Sequence, residues 1–358
     1  MSTGLISLSC MLIYNIPGMP LLSSIDVGSN TLRLLIAKFV GNRIIDVYSD
    51  RKITRLGSMV DRTRILRPEN IALSLQALRE FSSVINRHGV RHVKTVATSA
   101  LREAVNADTF IKMVWEETGI RIEVISGEKE AQLILKGILH AFSPAGLRAV
   151  HPLLPTLPRE GAKEAPPHTL FIMDIGGGST EWIAYQGEDR YVIGSLPAGV
   201  IKLARECVRT DPVSETDIKQ LTHEIHRMLE PLETELRHLI TRSTLFIGTA
   251  GTFTTIASVD LGLTSYSREK IHLHRIPFSR LMKMQKEFLR LSLEERRKLQ
   301  GLEPERADLI IPGLQFTMKV MELFRFRELI ISDYGLLEGA LLAMKETSEE
   351  GLPETGKS

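Results

Sequence analysis

Apolar residues recur along the first half of the chain with two different periods. Helical spacing predicts amphipathic helices over residues 68–89, 106–119 and 128–142. Short runs rich in β-branched residues lie between these segments and predict strands over residues 93–100 and 121–127. Strands that alternate with helices are typical of an α/β layer architecture.

The later part of the chain continues this alternation. It predicts a helix over residues 213–240, a strand, glycine turn and helix over 243–259, and a capped helix over 292–300. Residues 307–344 predict a helix, a strand and a final helix. Residues 347–358 continue no such pattern, and we expect them to be frayed.

One pattern occurs twice. LSSIDVGSNTLRLLIA at 22–37 and LFIMDIGGGSTEWIAY at 170–185 both contain an apolar strand, an Asp, a glycine turn with a hydroxyl residue, and a second strand. Asp26 matches Asp174 in this alignment. Each turn leads into a strand, which predicts two hairpins, whereas a phosphate-binding loop of the GxxxxGK[ST] type leads into a helix and has no match here. The spacing of about one domain length predicts two similar halves.

The composition limits the classes of protein to consider. The 358 residues suffice for about two domains, and 43% hydrophobic with 25% charged residues is ordinary for a globular protein. A net charge of +2 is too small to indicate a nucleic-acid or membrane-surface partner, so an anionic ligand must be met by local charge. The two cysteines exclude a disulfide framework and a CxxC metal site, and they fit a reducing cytoplasm.

Two segments fall outside the alternation. Residues 1–22 are apolar, but no Lys or Arg precedes the apolar stretch and Pro17 and Pro20 interrupt it. We therefore expect an extension there, with Met11 and Met19 as further possible starts, and not an export signal or a membrane span. Residues 143–168 hold six prolines and predict an irregular surface loop between the halves.

The repeated turns suggest a chemistry. Converging backbone N–H groups of a glycine turn bind anions such as phosphate, and the left-handed conformation that such a turn can require is easily adopted by glycine. The flanking carboxylates of Asp174 and Glu181 fit a hard cation such as Mg²⁺ held between them and phosphate oxygens. A tight turn with two solvated acids is the alternative. The second copy, and the GTAGT turn at 248–252 that enters a helix, favour phosphate.

Three further charged residues are candidates: Glu130 and Arg102 follow predicted strand ends, and Arg33 lies just after the first turn. Glu130 is in the first turn of its helix, so it is either an ordinary capping acid or a carboxylate that accepts a proton from an attacking water. Arg102 and Arg33 are either solvated or positioned to pair with phosphate oxygens. Thr252 is either part of an anion site or the N-cap of the helix that follows GTAGT.

Nine motifs in a fixed order carry a resemblance to a known family. They are DVGSNTLRLLIA (26–37), TRLG (54–57), ATSALREAVN (97–106), ISGEKEAQL (125–133), MDIGGGSTEW (173–182), SLPAGVIKL (195–203), GTAGT (248–252), RADLIIPG (306–313) and ISDYGLLEGALL (331–342). Over residues 25–344 the chain resembles the exopolyphosphatase and guanosine pentaphosphate phosphohydrolase (Ppx/GppA) family in its short two-domain form.

The resemblance implies the two-lobed actin, sugar-kinase and heat-shock-ATPase fold, an α/β fold of duplicated ribonuclease-H-like domains with the active site in the cleft between them. The first lobe would comprise residues 20–135 and 336–346 and the second 136–335, with tails at 1–19 and 347–358. The last helix would cross back onto the first lobe.

The resemblance also implies residue roles. Glu130 matches the family's catalytic glutamate, which activates water, and Asp174 and Glu181 match acids near the metal. Lys129 stands where the family often has a second acid, so this helper acid is either missing or replaced by Glu128. The turns and the resemblance together give these candidate phosphate-binding residues: Ser29, Asn30, Thr31, Arg33, Arg102, Gly176, Gly177, Gly178, Ser179, Gly251 and Thr252.

The expected activity is Mg²⁺-dependent release of terminal orthophosphate from inorganic polyphosphate, from guanosine pentaphosphate, or from both. The alternatives are an ATP-dependent kinase of the same fold and a sensor that binds guanosine alarmones without catalysis. The acidic turn at 174–181 disfavours the kinase, and the joint presence of Glu130, Asp174 and Glu181 disfavours the sensor. A cytoplasmic location and a homodimer are family-level expectations.

Overall fold

The computed structural model describes residues 20–142, 169–187 and 190–350. The predicted proline-rich loop (143–168) and the tails at 1–19 and 351–358 lie outside these residues. In chain order the first half contains β1 (Leu22–Val27), β2 (Thr31–Val40), β3 (Arg43–Ile53), α1 (Val60–Thr63), α2 (Pro68–Arg87), β4 (His92–Ala97), α3 (Ser99–Glu103), α4 (Ala107–Thr118), β5 (Ile122–Val124) and α5 (Gly127–Phe142).

The second half has a similar sequence of elements with more helices. It contains β6 (Leu170–Ile175), β7 (Thr180–Tyr185), β8 (Tyr191–Leu196), α6 (Val200–Cys207), α7 (Glu215–Leu236), β9 (Leu245–Thr249), α8 (Ala250–Asp260), α9 (Arg268–Ile271), β10 (Arg275–Pro277), α10 (Phe278–Phe288), α11 (Leu293–Arg296), a 3₁₀ turn (Pro304–Arg306), α12 (Ile310–Phe324), β11 (Glu328–Ser332) and α13 (Leu336–Glu350).

The strands form two sheets of the same design. Their orders are β3-β2-β1-β4-β5 and β10-β11-β9-β6-β7-β8. In each sheet three antiparallel strands come first along the chain, and two parallel strands then extend the sheet on the other side of the first strand. The repeated sequence pattern therefore marks a duplicated topology, and the expected two-lobed actin-like α/β fold is confirmed. We call the parts built on these sheets the first lobe and the second lobe.

Burial follows from this topology. The central strands β1 and β6 are buried along their whole length because both faces of each sheet are covered. Each lobe has its own large apolar core. A third apolar cluster joins Val96 of β4 and Ile134 of α5 to Ile172 of β6 and Ile247 of β9. Helix α5 thus packs between the lobes.

Helices α5 and α13 cross at unusually close range. A Cβ atom on Gly339 would overlap the carbonyl oxygen of Leu133, and one on Gly137 would overlap that of Gly335. Only glycine permits this backbone contact. The final helix consequently fixes the position of α5, and it also packs against β1.

Several predicted element bounds need correction. The strand predicted over residues 93–100 ends at Ala97, and Ser99 begins the short helix α3. The strand predicted over 121–127 is only Ile122–Val124, because α5 already begins at Gly127. Residues 347–350, expected to be frayed, continue α13. The capping box predicted for residues 292–300 is confirmed, with Ser292 and Glu295 as its members.

The lobe boundaries expected at residues 135 and 336 stay a prediction. Within the described parts of the chain, no helix has the combination of length and apolar character that a bilayer crossing requires.

Candidate active site

The two hairpin turns line one cavity of about 560 Å³ between the lobes. Gly178 in the second turn lies against the first lobe, because a Cβ there would come within 2.5 Å of Ser99 Oγ and 2.7 Å of Ser29 Oγ. A Cβ on Gly177 would likewise lie only 3.2 Å from the Cβ of Asn30. The turn glycines therefore permit close approach of the two lobes.

This reason for glycine differs from the expected one. Neither Gly28 nor Gly176, Gly177 and Gly178 adopts the left-handed conformation. A left-handed turn was thus a wrong expectation, and the small size of glycine is what these positions use. Ala250, in contrast, is left-handed with φ 64° at the start of α8.

Equivalent cross-strand positions hold side chains of different charge in the two lobes. Asp26 of β1 lies opposite Arg33 of β2, and the two form an ion pair at 2.7 Å. At the equivalent register Asp174 of β6 lies opposite Glu181 of β7. Cross-strand neighbours have Cβ atoms about 5 Å apart, so the second lobe presents two adjacent carboxylates. The first lobe presents a carboxylate that is already neutralised.

Glu130 enters this cavity from the first turn of α5. It is only 5% exposed, and its Oε2 lies 3.3 Å from Nη1 of Arg102. The same Arg102 nitrogen donates to the carbonyl of Ile125 at 2.9 Å, which holds the guanidinium in place. The backbone N–H of Glu130 donates to the Ser126 carbonyl, so its side chain is free to face the cavity.

The crowding of acids changes their protonation. Burial, followed by the nearby charges of Glu181, Asp174 and Asp26, raises the pKa of Glu130 well above its usual range, although Arg102 opposes this. Burial and Glu181 likewise raise the pKa of Asp174. Burial raises the pKa of Glu181 to about 7, and hydrogen bonds from Ser195 and Ser179 limit the rise.

Two arginines face these acids from opposite lobes. Burial alone would lower the pKa of Arg33, but Asp26 and Asp174 outweigh it and raise this pKa, so the guanidinium stays charged. Arg306, from the 3₁₀ turn of the second lobe, donates to Thr31 Oγ1 at 2.9 Å and to Glu303 Oε2 at 2.7 Å. The cavity thus has fixed positive charge on both walls.

The carboxylates fit a divalent cation only together with a ligand. Among residues 20–142, 169–187 and 190–350, no group of three or more His, Cys, Asp or Glu side chains is close enough to hold a metal. Mg²⁺, however, needs only one or two carboxylates when phosphate oxygens and water complete its shell. Asp174 and Glu181 meet that requirement, and burial, the largest cause, raises the pKa of each.

The structure brings nearly all the candidate residues together. The cavity is lined by the expected catalytic and metal-binding acids and by these candidate phosphate-binding residues: Ser29, Asn30, Thr31, Arg33, Gly176, Gly177, Gly178, Ser179, Gly251 and Thr252. Arg102 does not line the cavity and reaches it only through Glu130. The exposed Glu128 is not part of the lining either.

Two details of the GTAGT turn differ from expectation. The N-cap of α8 is Thr249, so the capping role considered for Thr252 is wrong. The hydroxyl of Thr252 donates instead to the Ile175 carbonyl at 2.6 Å. Gly251 gives room to Arg306, because a Cβ at this glycine would overlap the guanidinium.

Sequence reasoning assigned no role to three residues of this site. Asp26 was detectable, since it occupies the position of Asp174 in the repeat. Arg306 lies in the RADLIIPG motif, but nothing in the sequence indicates that its side chain reaches Thr31 across the cleft. Ser195 begins the SLPAGVIKL motif, but nothing in the sequence indicates that its hydroxyl donates to Glu181, at 2.7 Å.

Comparison with known proteins places this geometry in a family. The model of the Ppx/GppA phosphatase family matches residues 35–151 and 164–348, which is most of the chain. The chain belongs to the Ppx/GppA phosphatase family. The resemblance inferred from the nine motifs is therefore confirmed.

Individual relatives agree with this assignment. The chain is 29% identical over 337 residues to Exopolyphosphatase 2 of Mycobacterium tuberculosis, covering 90% of this chain and 98% of that protein. It is 24% identical over 325 residues to the guanosine-5'-triphosphate,3'-diphosphate pyrophosphatase of Vibrio vulnificus, covering 91% of this chain and 59% of that protein.

Solved structures share the fold. An exopolyphosphatase from Cytophaga hutchinsonii superposes with a TM-score of 0.78 at 27% identity, covering 91% of this Ppx/GppA chain and 98% of that one. The Aquifex aeolicus family member has a TM-score of 0.72 at 28% identity, covering 94% and 100% of the respective chains.

Proposed function

We propose that this protein is a phosphohydrolase that releases terminal orthophosphate from inorganic polyphosphate, guanosine pentaphosphate, or both, with Glu130 as the general base. The observation that carries this proposal is the buried Glu130 carboxylate, which lines the same cavity as both glycine turns and is surrounded by acids. The names of the relatives, an exopolyphosphatase and a guanosine-5'-triphosphate,3'-diphosphate pyrophosphatase, support a phosphoanhydride as the substrate.

Glu130 has the properties that a general base requires. Burial and neighbouring acids raise its pKa well above its usual range, which strengthens it as a proton acceptor. Arg102 holds one carboxylate oxygen, so the other can accept a proton from a water molecule. As the water oxygen bonds to the terminal phosphorus, the bond to the bridging oxygen breaks and the shortened phosphate chain departs.

The remaining candidate residues bind the phosphate groups. The backbone N–H groups of the two turns, with Arg33 and Arg306 on opposite walls, would hold the terminal phosphates and stabilise charge in the transition state. Asp174 and Glu181 would hold a divalent cation, Mg²⁺ by preference, which when bound supplies further positive charge at the phosphate oxygens. We also propose a cytoplasmic location and a homodimer.

The two alternative functions, a nucleotide sensor and a kinase, would need different groups in the same cleft. A nucleotide sensor needs binding residues but no buried base, and a kinase needs an acceptor for the transferred phosphoryl group. The acid pair of Asp174 and Glu181 beside Glu130 serves neither purpose as well as it serves hydrolysis.

The proposal is tested by orthophosphate release with Mg²⁺ from long-chain polyphosphate and from guanosine pentaphosphate. We expect Glu130→Gln to reduce kcat by about 10²- to 10⁴-fold, the usual contribution of a general base, with an unchanged fold by circular dichroism. Glu128→Gln is the matched control, because Glu128 is an exposed acid in the same helical turn, and it should retain wild-type activity.

Two outcomes contradict the proposal. Full activity of Glu130→Gln would remove Glu130 from the reaction. Absence of orthophosphate release from both substrates, together with tight nucleotide binding, would favour the sensor.

A further inference from the structure

The cavity continues beyond the turns along the edge of the first sheet. Asp26, Arg33 and Arg51 occupy matching register positions on β1, β2 and β3. Neighbouring strands lie about 4.8 Å apart, so Arg51 lies roughly 10 Å from Asp26 across the sheet. Tyr266 and Arg268 of the second lobe line the cavity at this end.

Tyr266 places a large aromatic ring at this end of a polar cavity. It is 42% exposed, and the guanidinium carbon of Arg51 lies 4.3 Å from the ring centre. The Tyr266 hydroxyl donates to Asp333, and Arg51 is paired with Glu303 at 2.8 Å. Both groups are therefore held in position, which lowers the entropy lost when a flat ligand stacks on them.

The charges beside the ring are unfavourable for a bare phosphate chain. Arg268 is bound to Asp46, Asp333 and Glu338, so three carboxylates share one guanidinium. Every unit of inorganic polyphosphate is anionic and would be repelled by this excess of negative charge. An uncharged heterocyclic base would not be repelled, and aromatic side chains stack on bases of any sequence.

The polar groups also suggest which base is preferred. Carboxylates only accept hydrogen bonds, and those of Asp46, Asp333 and Glu338 line the cavity at this end. Guanine presents N–H donors to such acceptors. The distance of roughly two strand spacings between Asp26 and Arg51 leaves room for a phosphate arm and a ribose.

We propose that Tyr266 and Arg51 form a stacking platform for the base of a guanosine polyphosphate whose terminal phosphate lies at Glu130. The inference rests on the proposed function and assigns the guanosine substrate to the full length of the cleft. Inorganic polyphosphate, in contrast, would use only the half that contains the turns. Tyr266 is then a specificity-determining residue with no part in the proton transfer.

The test compares guanosine pentaphosphate with inorganic tripolyphosphate, which lacks a base. Loss of one base–aromatic stack should lower kcat/KM of Tyr266→Ala for guanosine pentaphosphate about tenfold or more. The same variant should stay within about twofold of wild type on tripolyphosphate. Tyr266→Phe keeps the ring and should retain most of the nucleotide activity. Tyr191→Ala, at a comparably exposed tyrosine that does not line the cavity, should be unaffected on both substrates.

Other results overturn the platform. Equal losses on the two substrates, or a Phe variant as impaired as the Ala variant, would show that Tyr266 acts through its bond to Asp333. Unchanged kinetics would show that no base contacts the ring.

Failure of the proposed function gives a different result, namely no orthophosphate from either substrate in the wild-type protein. The platform is then tested by calorimetric binding of the same two ligands to the wild type and to Tyr266→Ala. Binding of guanosine pentaphosphate no tighter than that of tripolyphosphate would exclude it.

Discussion

At the scale of single residues, the two lobes differ at one pair of equivalent positions, which hold Arg33 in the first lobe and Glu181 in the second. Arg33 neutralises Asp26 in the first lobe, whereas Glu181 faces Asp174 at the same register in the second. The charges of the first pair balance each other. The second pair accumulates negative charge, which burial makes costly until a cation or a proton arrives.

This acid pair predicts an unusual dependence of stability on pH. The pKa of Glu181 is raised to about 7 from an ordinary 4.5, so the folded state retains a proton that the unfolded chain loses between these values. The stability that protonated Glu181 gives the folded state is complete below pH 4.5 and is lost as the pH rises through 7. The loss is about 3 kcal/mol for a shift of this size.

Urea unfolding between pH 5 and 8, with chelator present, measures this effect. The free energy of unfolding of the wild type should fall with rising pH, and Glu181→Gln should make the fall shallower. Glu235→Gln, at an exposed acid of α7, should leave the profile unchanged. A steeper profile for Glu181→Gln would contradict the raised pKa.

At the scale of elements, close helix packing determines where the general base lies. The backbones of α5 and α13 touch at Gly137 and Gly339, and Glu130 lies about two turns before Gly137 on the same helix. Any separation of the two helices therefore moves Glu130 relative to the turns.

Gly339→Ala should accordingly reduce both stability and activity. Overpacking of this kind costs about 1–3 kcal/mol, because a backbone carbonyl cannot rotate away as a side chain can. Thermal unfolding and orthophosphate release should both report the change. Thr347→Ala, on the exposed face of the same helix, should alter stability by less than about 0.5 kcal/mol. Unimpaired activity in Gly339→Ala would show that the crossing does not position Glu130.

These contacts also explain which features of the fold and the active site could be predicted from the sequence. The hairpins, the helix alternation and the acids of the repeat follow from local patterns, and the structure contains them. The close approach of Gly178 to Ser29 and Ser99 is a tertiary contact, so the sequence indicated glycine turns but suggested left-handed geometry as their reason. Arg306 reaches Thr31 from 275 residues away, and no local pattern encodes such a contact.

At the scale of the whole molecule, arginines connect the lobes on one side of the cleft. Arg55, after β3, forms two bonds of 3.0 Å to Asp308 and a further bond to the Glu305 carbonyl. Arg51 pairs with Glu303 nearby, and Arg268 pairs with Asp46 across the lobes. These partly exposed ion pairs contribute little stability individually but favour one relative arrangement of the lobes.

Charge reversal should therefore change shape more than stability. Asp308→Lys should increase the radius of gyration in small-angle X-ray scattering and raise KM several-fold, because like charges then face each other. Its effect on the free energy of unfolding should stay near 1 kcal/mol. The double variant Arg55→Glu/Asp308→Lys restores opposite charges and should recover both values. Failure of this exchange would contradict a role of the pair in closure.

The crossing of α5 and α13 has a consequence for synthesis. A ribosome produces residues 127–142 long before residues 336–350, and domains begin to fold as they emerge. Until the final helix has been made, nothing covers the glycine face of α5, and Glu130 has no fixed place. A nascent chain that already contains Glu130, both glycine turns and Arg306 is therefore expected to be inactive. Activity should begin only when the last segment docks.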